Sequence, residues 1–404
     1  MSDTNTLTSS GKGQISIQPL TTVDATAGTG YFPDPLPVHF AQGVFPTGSN
    51  SITFSGSNQT LLTCPDPIQA GHCQTSSIKV DPSAYRAQAN LAGFYLPSVG
   101  NNNIYQDSSG NWQMATTLHL ATDAAGSDPW NVIAHARPKA PGSATGSTVP
   151  GDWIVDAILV GSVTQPGTKA NYDGKYFEDG GNLYLLFSKA LQASPLHDGV
   201  VAQLMDSPKA PASSETVTLI EPENDSFGGY NSEYFFPSVS SPFKLVETGN
   251  VTKVDGKYAI AYSTGDFQNG NYKAAVAWSD TFLPKAGTTY KKVLLPDPTG
   301  VWGGPSGRPE VLYLLQAQKN AWPNDVFDQV QSPGVPAIVQ DPGGTWYLFF
   351  AGYDPGEVLG SAGLFTPGVR RPYFSKLSVA VPPNATVTAT SNTALASWIT
   401  LLKE

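Results

Sequence analysis

The amino-acid sequence predicts an all-β protein: a five-bladed β-propeller with long loop insertions and a short C-terminal helix. Three observations carry this. The 404 residues include 40 Gly and 34 Pro, with aromatics at 11% and charged residues at only 13%. That balance suits many short strands joined by tight turns and is too apolar for disorder. A strand, a turn containing Asp and Gly, and an aromatic strand recur as a unit. In the clearest copy, Leu245 to Ser263, Asp255-Gly256 is a two-residue hairpin turn between runs rich in β-branched and aromatic residues. The copies lie roughly 60–90 residues apart, which suggests four-stranded blades arranged radially. A two-sheet sandwich is the alternative arrangement of the same strands.

In chain order, residues 1–30 are rich in Ser, Thr and Gly, lack periodicity and read as a flexible tail. Residues 31–385 read as the propeller. Tyr31 to Phe40 is held extended by its prolines, and Ser51 to Thr63 reads as two short strands about a Gly-Ser-Asn turn. Cys64 and Cys73 bound a loop with two prolines and a glycine that a disulfide can close. Their spacing fits no zinc pattern, and His72 does not supply one. Ala84 to Ala92 carries a weak helical pattern. Four copies of the unit follow. Phe94–Val99 leads to Trp112–Thr117, Trp153–Val160 to Leu183–Ser188, Leu245–Val251 to Tyr258–Ser263, and Gly334–Gln340 to Trp346–Phe350. Each precedes a third apolar run, and the N-terminal strands make the fifth copy. Residues 386–404 read as a closing helix packed on the propeller, from Ser391 to Leu402.

The net charge of −10 argues against nucleic acid and gives no reason to expect an anionic membrane. No run of about 18 apolar residues exists, and the N-terminus lacks a basic-then-apolar signal. The candidate disulfide, with Asn-x-Ser/Thr triplets at Asn58, Asn224, Asn250 and Asn384, points to a secreted monomer whose signal lies outside this chain.

If the first strand of each unit lines the channel, registering the units on their turns puts Asp156, Glu247 and Val335 at matching positions, with Leu96–Pro97 in the earliest copy. Two carboxylates converging on one pocket suit glycosidic bond cleavage: one protonates the leaving oxygen, and the other assists or tunes it. Crowded like charges raise one pKa and keep that group protonated near neutrality. Each residue also has a local reading. Glu247 can equally salt-bridge at a strand end, Asp156 cap nearby amides, and Asp34 form a turn beside its prolines. Trp153 and Trp302 can stack on sugar faces or fill core. Arg308 can orient substrate hydroxyls or close a loop salt bridge. His39, His119, His135 and His197 are scattered without metal-ligand spacing, so no metal ligand set is expected. No Gly-x-Ser-x-Gly, phosphate loop, HExxH or dinucleotide fingerprint occurs.

These motifs resemble the five-bladed propeller glycosidases, glycoside hydrolase family 43 and its clan F/J relatives. Leu245 to Val251, with Asp255-Gly-Lys-Tyr258, resembles the blade carrying the family's general acid, there in Glu-Gly-Pro and here Glu247-Thr248-Gly249. Ala277 to Asp280 resembles the Ser-Asp that follows it. Asp152 to Ala157 resembles the Trp-Ala-Pro-Asp strand whose Asp tunes and orients the acid. Ser332 to Val339 resembles the Gly-Pro-Gly-His strand, with Val335 in place of the His that often helps hold a metal or water. The family's base sits in Ala-Asp-Pro-Ser-Val; Tyr95 to Val99 matches it with Leu96 at the Asp position. That leaves Asp34 and Asp66, each in Pro-Asp-Pro, and the turn residue Asp107 as candidates. The resemblance covers about residues 94–380. It implies an inverting hydrolase of a furanose- or pentose-containing polysaccharide or oligosaccharide, arabinofuranosidase- or xylosidase-like. Glu247 would be the acid and Asp156 its modulator; the base is left unassigned, with Asp34 the candidate taken forward. It implies no cofactor and leaves open a structural calcium in the channel. The alternatives are a carbohydrate-binding propeller without catalysis and a retaining fructan-type glycosidase or transferase.

Overall fold

The structure, a computed structural model, describes residues 15–21, 32–41, 43–46, 51–140, 147–193, 196–223, 233–236, 243–268, 272–296, 307, 309–317, 324–326, 328–355 and 370–403. Alternating apolar residues and tight turns make antiparallel ladders throughout, and these ladders form five blades. Blade one runs through Leu36–Pro37, Ser51–Ser55, Thr60–Pro65 and Gln74–Ser77. Blade two runs from Tyr95–Gln106 through Trp112–Ala121 and Trp130–Pro138 to Asp152–Val160, with Lys79–Asp81 parallel on its edge. Blade three is Tyr172–Asp179, Asn182–Ala193 and Leu196–Ser207, with shorter strands on the last of these. Blade four is Glu247–Val254, Lys257–Thr264 and Lys273–Ser279, and blade five is Gln331–Gln340, Trp346–Tyr353 and Arg371–Val379.

The first strands of neighbouring blades touch, and those of blades five and one touch as well, so the ring closes around one channel. Side chains tie strand to strand across the gaps. Asn103 Oδ1 accepts from the Tyr176 amide at 3.0 Å, and Asn250 Nδ2 donates to the Pro336 carbonyl at 2.7 Å. Each gap is filled by its own apolar layer. Val38, Leu61 and Leu118 lie between blades one and two, and Ile133, Leu185 and Val201 between two and three. Leu186, Val200 and Ile260 fill the next gap, Ala261, Leu348 and Phe350 the fourth, and Phe54, Leu62 and Phe349 the last. A sandwich has two inner faces, not five such layers.

Three findings differ from expectation. The inner strand of blade three is Tyr172–Asp179, and Asp152–Val160 is an outer strand of blade two. Part of the expected tail is structural: Gln18–Pro19 pairs with Phe374 and Tyr373 on the outer strand of blade five. The closing helix is one turn, Asn392–Leu395, capped by Ser391 Oγ accepting from the Ala394 amide at 3.2 Å, and Ile399–Leu401 then adds a strand to blade five. Helix Ser83–Leu91 forms where the weak helical pattern lies, and Cys64 is bonded to Cys73. No helix among the described residues is long and apolar enough to cross a membrane.

Candidate active site

Four inner strands share one irregularity. The ladder between each inner strand and its neighbour shifts register at Asn101, Asp173, Thr248 and Val335. These residues have φ of 50°, 58°, 57° and 56°. Each lies seven residues before the first residue of its hairpin turn. In blade one, Asp34, with φ 58°, sits at the corresponding place just ahead of Leu36–Pro37. A left-handed non-glycine residue costs on the order of 1–3 kcal/mol, and bulges of this kind re-aim side chains. Here the bulges ring one channel mouth.

The mouth is a cavity of about 330 Å³ whose lining includes Asp34, Asn101, Asp173, Glu247 and Thr248. Three carboxylates thus reach one cavity from blades one, three and four. Asp173, 7% exposed, accepts from Asn101 Nδ2, and its amide donates to Thr117 Oγ1 at 3.3 Å. The Tyr172 hydroxyl donates to Glu247 Oε2 and the Tyr272 hydroxyl to Oε1, each at 2.5 Å. The Tyr272 ring lies over Gly334, where a Cβ would come within 2.0 Å of it, so only glycine admits the ring there. Arg370 is buried beside the cavity. Its guanidinium donates to the Ser332 and Ala351 carbonyls at 3.2 Å each and lies 5.2 Å from the Tyr272 ring centre. Phe267, 39% exposed, forms part of the rim.

Desolvation and then the Asp173 charge push the Glu247 carboxyl up to about 7, against the two tyrosine hydrogen bonds. Burial pushes Asp173 up to about 6; Lys175 opposes this and Asp34 adds to it. Lys175, also buried, donates from Nζ to the Gly249 carbonyl at 3.4 Å. The site therefore offers a carboxyl able to hold a proton near neutrality, two further carboxyl groups and two fixed cations.

The structure brings Glu247 and Asp34 together. Asp156 does not join them. It lies on the outer strand of blade two, where it accepts from His135 Nδ1 and from Lys209 Nζ at 2.5 Å, with Arg137 Nε at 3.3 Å. Burial raises its carboxyl, but His135 and Lys209 outweigh this and hold it at about 2, which suits an ion pair and not a tuned acid. Trp153, on the same strand, is fully buried in the layer between blades one and two, with Nε1 donating to the Pro150 carbonyl at 2.8 Å. It faces core rather than sugar. Leu96 is also core, and the blade-two residue in register is Asn101. Asp107 caps its own turn, accepting from the Ser109 and Asn111 amides. Trp302 and Arg308 lie outside the described residues. Asp173, Lys175, Tyr172, Tyr272 and Arg370 were not anticipated. Counting seven residues back from the turn at Gly180-Gly181 reaches Asp173 directly.

Where the sequence resemblance places a histidine that often helps hold a metal or water, the chain has Val335. Val335 packs its hydrocarbon against Leu36 and Tyr272. No group of three or more His, Cys, Asp or Glu among the described residues could hold a metal ion.

Fold and site together define a five-bladed propeller with an acidic channel mouth. The same fold occurs in an α-L-arabinofuranosidase from Lactobacillus brevis, with TM-score 0.56, 14% identity, and coverage of 89% of this chain and 94% of that one. It occurs in a thermostable family-43 glycoside hydrolase, with TM-score 0.54, 14% identity and coverage of 90% and 95%. It occurs also in an exo-1,5-α-L-arabinanase from a bovine ruminal metagenomic library, with TM-score 0.51, 16% identity and coverage of 88% and 96%. No protein-family model matches the sequence, and no curated protein matches it.

Proposed function

We propose that this protein is a glycoside hydrolase acting on a furanose- or pentose-containing polysaccharide or oligosaccharide, an arabinose-containing one by analogy with the arabinofuranosidase and arabinanase that share its fold. The observation that carries this reading is the convergence of Asp34, Asp173 and Glu247 on one cavity, with the Glu247 carboxyl at about 7. Glu247 is the proton donor to the leaving oxygen. Asp34 takes the proton of the attacking water in an inverting displacement, and Asp173 fills the tuning role that the sequence assigned to Asp156. Arg370 and Phe267 orient the sugar by charge and by stacking. The protein acts as a secreted monomer without a cofactor, and its disulfide suits an oxidising compartment.

The test is Glu247→Gln, alongside Asp34→Asn, assayed on aryl glycosides and arabinose- or xylose-containing polysaccharides. We expect each variant to lose at least about 10³-fold in kcat while oligosaccharide affinity stays within a few fold. Unchanged turnover in Glu247→Gln removes it as the acid. One observation favours a second reading, a carbohydrate-binding propeller: both carboxyl oxygens of Glu247 already accept tyrosine hydrogen bonds. Wild-type binding with no turnover on any of these substrates would select it.

A further inference from the structure

The two tyrosines on Glu247 come from different blades and are fixed by different means. Tyr172 opens the inner strand of blade three, one residue before the bulge at Asp173, and donates to Oε2 at 2.5 Å. Tyr272 lies just ahead of Lys273–Ser279 in blade four and donates to Oε1 at 2.5 Å. It is 2% exposed, packs with Leu36 and Val335, and its ring occupies the space that a Cβ on Gly334 would need. Arg370 of blade five lies over the same ring. Both tyrosines and Glu247 line the channel cavity.

An ionised carboxylate only accepts hydrogen bonds, so both tyrosines donate to it. Of the roughly four acceptor sites on a carboxyl group, the tyrosines take one on each oxygen. A proton that Glu247 takes up must use a site that they leave free. Burial, and then the Glu247 charge, push both phenols well above their ordinary value, so both remain donors. When Glu247 passes its proton to the leaving oxygen and the glycosidic bond breaks, the electron pair of its O–H bond stays behind as carboxylate charge. Hydrogen bonds to a charged acceptor are the stronger kind, so both tighten as that charge develops. We propose that Tyr172 and Tyr272 are positioning residues that clamp the Glu247 carboxyl, one to each oxygen, so that its proton is presented to the cavity and the carboxylate left behind is held by both hydroxyls. The role in turnover rests on the hydrolase reading; the clamp itself does not.

The direction of the shifts agrees. Both tyrosine bonds pull the Glu247 carboxyl down, against burial and the Asp173 and Asp34 charges that push it up. Lys175 on blade three also acts on Glu247, Asp198 acts on Tyr172, and Arg370 acts on Tyr272.

The test uses Tyr172→Phe and Tyr272→Phe, each of which keeps the ring and loses the hydroxyl. The first readout needs no substrate. It is a carbon-13 NMR titration of protein labelled at the glutamate carboxyls, with the Glu247 signal identified by its loss in Glu247→Gln. The wild-type midpoint near 7 should rise by about half to one unit in each variant. The second readout is the pH profile of kcat/KM on an arabinoside that the wild type hydrolyses. Its basic limb should move up by the same amount, while kcat at the optimum falls about tenfold and KM stays within twofold. Gly334→Ala keeps both hydroxyls but displaces the Tyr272 ring. It should reproduce the Tyr272→Phe midpoint and add nothing to it in the Tyr272→Phe background; should it not fold, the two Phe variants decide. A Glu247 midpoint unmoved in either Phe variant would overturn the clamp. Raised midpoints in a protein that hydrolyses nothing would support the clamp and remove only the hydrolase reading. Raised midpoints with unchanged kcat in an active enzyme would overturn the role in turnover.

Discussion

At the scale of single residues, Glu247 bears on function and stability in opposite senses. Its carboxyl is raised from 4.5 to about 7 by desolvation and then by the Asp173 charge. Between those values the folded protein holds a proton that the unfolded chain has released, so stability falls as pH rises through that window. The cost of ionising Glu247 in place is on the order of 3 kcal/mol. Glu247→Gln removes the charge and keeps the shape. At pH 8 the variant should therefore melt a few degrees above the wild type, and at pH 4.5 the gain should vanish. Calorimetry at the two pH values checks this, and an equal shift at both would mean that the carboxyl is not strained by its surroundings. Because the same group must be protonated to act as an acid, the wild-type rate should decline above about pH 7.

At the scale of elements, the instructive strand is Tyr172–Asp179. Its first four residues are Tyr, Asp, Gly and Lys, a poor advertisement for a strand. Nearby Trp153 to Val160 is an almost unbroken apolar, β-branched-rich run, as a buried strand should be, and it forms one, but at the outer part of blade two. Hydrophobic pattern reveals strands that bury apolar faces, and a strand that lines a polar channel departs from it because it carries function. Glu247 was legible because a single carboxylate broke an otherwise apolar strand, and Asp34 because its two prolines marked it off. The fold was legible because turn chemistry repeats even where the strands differ. Tyr272 and Arg370 approach the cavity from outside the inner strands and had no local signal. Asp156 acts in the framework instead. Its carboxylate gathers His135, Arg137 and Lys209, and so links blade two to the turn after Leu196–Ser207 in blade three. Since its carboxyl is held at about 2, the stabilisation is complete above pH 4 and disappears as pH falls toward 2. Asp156→Asn should lower the stability at pH 7 by about 2 kcal/mol and leave kcat within twofold. Urea unfolding and a rate assay on the same preparation separate this from Asp173→Asn, which should impair kcat instead.

At the scale of the whole molecule, a propeller must close its ring, and the last blade is where an open ring would fray. Blade five takes its three long strands from residues 331–379 and its outer edge from both ends of the described chain, Gln18–Pro19 and Ile399–Leu401. The N-terminal piece is more than an edge. Ile15 packs into the layer between blades four and five and Leu20 into the layer between five and one. The Leu20 amide donates to the Pro372 carbonyl at 2.9 Å. Such short anchors escape sequence reading because two apolar residues in a polar stretch make no periodic pattern. Burial of the two side chains contributes on the order of 4 kcal/mol, and because it couples blade five to both neighbours, its loss should loosen the ring and not a single strand. Removing residues 1–21 should lower Tm by roughly 5–10 °C, and Leu20→Ala should reproduce about half of that. Hydrogen exchange should quicken at the strand facing the removed segment, Arg371–Val379, before it quickens in blades two and three. A truncated protein with unchanged Tm and unchanged exchange in blade five would show that the ring is held shut by its apolar layers alone.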